Sequence, residues 1–209
     1  MELQFNNNND FILLFEQKLC EFTGAKFCVL TDSCSNALFL SLKYFKEKNN
    51  ISNMKIEMPN RTYISVYNSV FNAGFSPILT DIKWEENYEL SNTKIYDCAV
   101  GFKKNMYKPN TFMCLSFQQK KALKIGKGGA ILLDDEEAYT YLKRLCWDGR
   151  DSSIPLKHDK PLNVGFHMNM IPDDAAKGVL LLNQLTNEEI DKNLLSYKNY
   201  VELSNFLIK

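Results

Sequence analysis

The chain has 209 residues, 45% of them hydrophobic and 24% charged, an ordinary globular composition in a length that suits one domain. Twenty-five Lys plus Arg balance twenty-five Asp plus Glu, so a formal charge of zero gives no global field toward nucleic acid or an anionic membrane. Six cysteines stand singly, without a CxxC pair and beside only two histidines, which excludes a zinc cage or a dense disulfide framework and reads as buried reduced thiols. The first ten residues carry an Asn run and no basic region, and apolar stretches such as residues 179–182 are far too short to span a bilayer. The expectation is a soluble, untargeted, cytoplasmic protein.

In chain order, Asp10 reads as the N-cap of a helix over residues 11–22, where Phe11, Phe15, Leu19 and Phe22 fall at helical spacing. Gly24 ends it, residues 26–30 read as a short buried strand, and Ser35 as the cap of a second helix through Ala37, Leu38, Leu42 and Phe45. A strand at 55–58, a helix at 62–73 and a strand at 76–80 follow, with Gly74 where the helix should stop. Residues 84–92 read as a polar loop, 94–96, 113–117 and 130–133 as strands, and 136–146 as a helix. Residues 148–161 read as a loop, and two helices are expected over 173–184 and 188–208. This alternation predicts an α/β fold with a mainly parallel sheet sandwiched by helices, in a single domain over 1–209 with C-terminal helices from about 173.

Three motifs bear on chemistry. Gly126-Lys127-Gly128-Gly129 invites a phosphate-loop reading, which fails because no upstream glycine is in register and no Ser or Thr follows the lysine. The turn Thr31-Asp32-Ser33-Cys34-Ser35-Asn36 lies between a strand and a helix, where free N–H groups and the helix dipole suit an anion, although a simple Ser cap explains it as well. Asp97 follows the strand at 94–96, at the edge where α/β sheets hold ligands, and Lys121 sits just past another strand end. A partly desolvated lysine there can form a Schiff base, and pyridoxal phosphate chemistry asks for that lysine, a carboxylate at the pyridine nitrogen and a phosphate cradle on a helix N-terminus.

With these residues in order, the chain resembles the DegT/StrS family of pyridoxal-phosphate-dependent sugar aminotransferases, of fold type I. The segments that carry the resemblance include Gly24-Ala25-Lys26, Pro59 through Tyr63, Asp97-Cys98-Ala99, Ser116-Phe117 through Lys121, Gly126 through Gly129, Asp148-Gly149-Arg150-Asp151 and Gly165-Phe166. The resemblance implies pyridoxal 5'-phosphate as cofactor, Lys121 as the Schiff-base lysine and Asp97 at the pyridine nitrogen. The family's lysine stands five positions after the serine of Ser-Phe, which selects Lys121 over Lys120. It further implies Ser33, Cys34, Ser35 and Ser116 around the phosphate, Tyr63 stacked on the ring, and His167 near the cofactor, in a segment (residues 165–170) that completes the site of the other subunit in a homodimer.

The sequence departs from the family pattern at Cys34-Ser35 (usually Gly-Thr), Val100 (Gln or His), Lys127 (Glu), and His167 and Asn169 (Asn and Arg). The family's smaller C-terminal domain is also expected to be missing, leaving a large domain alone. Two functional readings follow. One is amino transfer, with glutamate as the expected amino-acid donor, onto a keto sugar linked to a nucleotide. The other is a catalytically incomplete or partner-dependent domain for which a separate chain supplies the rest.

Overall fold

The computed structural model describes residues 9–162, 164–191 and 195–206. Helix α1 (Asn9–Thr23) covers the helix expected at 11–22, and Asp10 falls inside its first turn instead of capping it. Phe15 and Leu19 are fully buried on its inner face. Strand β1 (Phe27–Thr31) leads into α2 (Cys34–Lys48). A βαβ unit follows: β2 (Lys55–Pro59), α3 (Ile64–Asn72) and β3 (Ser76–Thr80), with β2 and β3 paired in parallel. Then come β4 (Tyr88–Leu90), β5 (Ile95–Cys98), β6 (Phe112–Ser116), β7 (Gly129–Leu133) and α4 (Glu136–Cys146). Beyond a long loop lie α5 (Pro172–Gln184) and the short α6 (Asn187–Asp191).

The main sheet has the order β1-β7-β6-β5-β4. Its centre is buried on both faces: along β7, Ala130 and Leu132 enter one core cluster while Ile131 and Leu133 enter the other. The first cluster is shared with α1 and α5, the second with α2, α3 and α4, so helices sandwich the sheet as expected for an α/β fold.

The expectation of a mainly parallel sheet is corrected. Only β5 and β6 pair in parallel in the main sheet, whereas β1 with β7, β7 with β6, and β4 with β5 are antiparallel. For β4 and β5 the reason is connection length: four residues join them, in which Asn92 and Lys94 take positive φ, and a parallel crossover needs a dozen residues or more. Even so, β1, β5 and β6 run the same way. Their carboxyl ends, the start of β7 and the start of β4 therefore meet at one edge.

Two further expectations change. Residues 84–92 are not wholly a loop, because β4 lies within them. The helix expected over 188–208 gives way to α6 and two 3-10 turns, Tyr197–Asn199 and Leu203–Asn205; its stretches 192–194 and 207–209 lie outside the described residues. Here the backbone bonds to distant chain as well as within its short turns: Glu86 N donates to Leu195 O, Tyr197 N to Trp84 O, and Leu203 N to Asn60 O. Ser196 and Asn199 close a capping box that fixes the first turn. Among the described residues no helix is long and apolar enough to cross a membrane.

Candidate active site at the sheet edge

A cavity of about 500 Å³ opens at this edge, within the size range of small-molecule sites. One wall is the start of α2. Ser33, in extended conformation, is the actual N-cap: its hydroxyl accepts from Asn36 N at 3.2 Å and donates to Asp32 Oδ1 at 3.0 Å. Ser35, expected to be that cap, lies within the helix and donates to the Ser65 hydroxyl at 2.7 Å, tying α2 to α3 across the wall. Cys34 is buried, and its thiol donates to Cys114 O at 3.5 Å, which leaves its backbone as the group available to a ligand.

The glycine-rich segment forms the neighbouring wall for a geometric reason. A Cβ on Gly129 would stand 2.5 Å from Cys34 N and from the carbonyl carbon of Ser33, so only glycine lets β7 begin against the end of α2. Gly126 and Gly128 hold φ of +123° and +132°, conformations that side chains disfavour. Between them Lys127, 71% exposed, reaches Asp32 at 3.4 Å and offsets the one carboxylate beside the α2 terminus.

Asp97 closes the floor. It lies in β5, not beyond it, and is buried. Its Oδ1 accepts from Ala99 N at 2.9 Å, and its Oδ2 accepts from the Tyr88 hydroxyl at 2.7 Å. Burial pushes its proton affinity up, while the Tyr88 hydroxyl, the Ala99 N–H and the charge of Lys121 pull it down. Lys121 is half-buried in the cavity wall, whereas Lys120 is exposed. The Lys121 side chain makes no hydrogen bond or ion pair among the described residues, so its amine remains uncommitted. Ser116, at the end of β6, and Tyr63, 63% exposed, complete the predicted set.

The edge thus gathers Ser33, Cys34, Ser35, Tyr63, Asp97, Ser116 and Lys121. His167 is not brought in: it does not line the cavity, and its ring pairs with Asp148 at 2.9 Å on the surface. Val100 lines the cavity as a buried apolar side chain that joins the core. Sequence reasoning missed Thr62, Tyr88, Trp84 and Tyr200. Trp84 lies against both Tyr88 and Tyr200, with ring centroids 5.0 and 5.5 Å apart, so residues 195–206 supply part of an aromatic wall. The one signal for Tyr88 is the alternation of Tyr88 and Leu90 ahead of a Ser-Asn turn.

A curated relative, the UDP-4-amino-4,6-dideoxy-N-acetyl-beta-L-altrosamine transaminase of Helicobacter pylori, is 31% identical over 77 residues, 37% of this chain and 20% of the relative. Among solved structures, Helicobacter pylori PseC, an aminotransferase involved in the biosynthesis of pseudoaminic acid, superposes with a TM-score of 0.66 at 18% identity, covering 83% of this chain and 57% of that one. Ntda from Bacillus subtilis, with bound cofactor PMP, gives 0.66 at 20% identity, covering 82% and 47%. At these identities the structural likeness establishes the fold, and the chain spans little more than half the length of PseC. The family model of the DegT/DnrJ/EryC1/StrS aminotransferases matches residues 2–100 and 101–200, nearly the whole sequence, and the chain belongs to that family.

Proposed function

We propose that this chain binds pyridoxal 5'-phosphate in the sheet-edge cavity and transfers an amino group from an amino-acid donor, with glutamate as the expected one, to the keto carbon of a nucleotide-linked sugar. The observation that carries the reading is the convergence of an uncommitted, half-buried lysine amine and a hydrogen-bonded buried carboxylate in one cavity walled by a helix N-terminus. The donor set fits the cofactor. Ser116 and the first N–H groups of α2 offer hydrogen bonds to a phosphate, the Ser33 and Ser35 hydroxyls can join them by turning from Asp32 and Ser65, and Lys127 adds charge. Tyr63 offers an exposed ring face to a planar group.

When bound, pyridoxal phosphate supplies an electron sink for charge left on the substrate carbon. Asp97, held by two donors that favour its ionised form, would face the ring nitrogen and keep a proton on it. Lys121 would hold the cofactor through Nζ and, when a substrate amine displaces it, would be placed to carry a proton away from the donor carbon to its new position. The aromatic wall of Trp84, Tyr88 and Tyr200 excludes water from that exchange. A second copy of the chain is the proposed partner. In support, His167 is 77% exposed and does not line its own cavity, so its ring is placed to meet a neighbour's site, on a segment whose Phe166 and Met170 pack into their own core.

Borohydride reduction in the presence of pyridoxal phosphate, followed by peptide mass mapping, tests the reading. The pyridoxyl group is expected on Lys121. Labelling on Lys120 or Lys124, or none at saturating cofactor, overturns it.

A further inference from the structure

Both carboxylate oxygens of Asp97 are engaged within the protein, and the Tyr88 contact is set by sheet register. Tyr88 and Asp97 are direct partners across the antiparallel β4–β5 ladder, so the hydroxyl reaches Oδ2 at 2.7 Å from a fixed position. A phenol has one proton to give. Since Tyr88 donates it to Asp97, the contact between Thr62 Oγ1 and the Tyr88 oxygen has Thr62 as donor. Thr62, Tyr88 and Asp97 are 3%, 6% and 6% exposed, so no bulk water competes for these bonds.

We infer that Tyr88, oriented by Thr62, is the positioning residue for Asp97, fixing the rotation of its carboxylate so that it stays aimed into the cavity. Without the Tyr88 bond the carboxylate would be held at Oδ1 only, by Ala99 N–H and the Cys34 thiol at 4.0 Å, and could turn about its terminal torsion, which is broad and two-fold. The second bond locks it and favours its ionised form. The β4–β5 pair is one of the three antiparallel pairs of the main sheet, and its tight hairpin delivers to the site a hydroxyl that a crossover connection would place elsewhere. Other groups act on Asp97 from every side: Lys121 past β6, Cys34 on α2, Cys98 on β5, Cys114 on β6 and Tyr200 on the last segment. Of these, only Lys121 carries a charge near neutral pH, because burial raises the three thiols and the Tyr200 hydroxyl.

The positioning role stands on the chain alone, and its use in catalysis rests on the cofactor reading above. In cofactor-free protein with ¹³C-labelled aspartate, the Asp97 signal, assigned by its loss in Asp97→Asn, reports the carboxyl titration. Tyr88→Phe is expected to move the midpoint to higher pH, Thr62→Val to move it less in the same direction, and Thr62→Ser to restore it. With pyridoxal phosphate added, Tyr88→Phe is expected to shift the pH dependence of the cofactor's visible absorption and to weaken its binding about tenfold. An Asp97 titration unchanged in folded Tyr88→Phe, or equal shifts in Thr62→Val and Thr62→Ser, overturns the inference. Should Tyr88→Phe fail to fold, the two Thr62 variants decide. A shifted titration in a protein that takes up no pyridoxal phosphate upholds the positioning role and sinks the cofactor reading.

Discussion

Asp97 is a charge kept where burial disfavours it, and that has a measurable sign. Its folded proton affinity is raised, so the folded state holds its proton to higher pH than the unfolded chain does. Its contribution to stability therefore falls as pH rises through that window. An amide at this position can still accept from Ala99 N–H and has no charge to bury, but it sets an N–H against Tyr88 in place of an acceptor. Asp97→Asn is accordingly expected to lose the parent's fall in stability as pH rises through that window, while the half-reaction with glutamate is lost. Thermal melts across pH, paired with single-turnover absorbance, check both halves; an unchanged half-reaction rate would remove Asp97 from the site. Lys127 shows the opposite economy, being exposed and placed to offset Asp32 instead of joining the core.

Three elements on different parts of the chain are tied by one buried ion pair. Glu16 of α1 accepts from Leu30 N of β1 at 3.1 Å and from Lys143 of α4 at 2.8 and 3.0 Å. Burial raises the Glu16 proton affinity, and Lys143 opposes that. Lys143→Met would leave Glu16 buried and unpaired, with an expected loss of about 3–5 kcal/mol at neutral pH. The loss should shrink on acidification, as Glu16 protonates. Glu16→Gln combined with Lys143→Met should recover most of it; denaturant melts of the single and double variants at two pH values give the comparison. Elements with strong periodicity or continuous apolar runs, such as α1, β6, β7 and α4, were legible in the sequence because their own residues determine them. The three-residue β4 was not, since so short a strand carries almost no periodicity, and the segment 195–206 was not, since several of its backbone bonds go to chain far away in sequence. The site follows the same division. Asp97, Lys121 and Ser33 were readable from strand ends and helix starts, while Thr62, Tyr88 and Tyr200 enter only through tertiary placement. The shift of the α2 cap from Ser35 to Ser33 is a boundary error of local geometry, with both serines still in the wall.

For the whole molecule, the leucines of the C-terminal segments, Leu180 to Leu182 with Leu194 and Leu195, crowd more apolar side chains together than one helix face buries, and the chain absorbs part of them. Leu182 is buried and Leu181 and Leu195 are half-buried, while Leu194 lies outside the described residues. Leu13 on α1 and Leu180 on α5 stay 55% and 63% exposed on two helices that pack together, and Ile171 just before α5 is 54% exposed. Such side chains suit an interface, so light scattering at micromolar concentration is expected to give a dimer; a cofactor-bound monomer would refute this. The position of β7 also bears on how the chain acquires its shape. This strand lies between β1 and β6, so the first strand made has no partner in the main sheet until residues 129–133 have been synthesised. A nascent chain emerging from the ribosome would therefore hold β1 as an unpaired strand from residue 31 until residue 129 has been added, with β6 open only over the last part of that interval, the period when other unfinished chains are best able to pair with them.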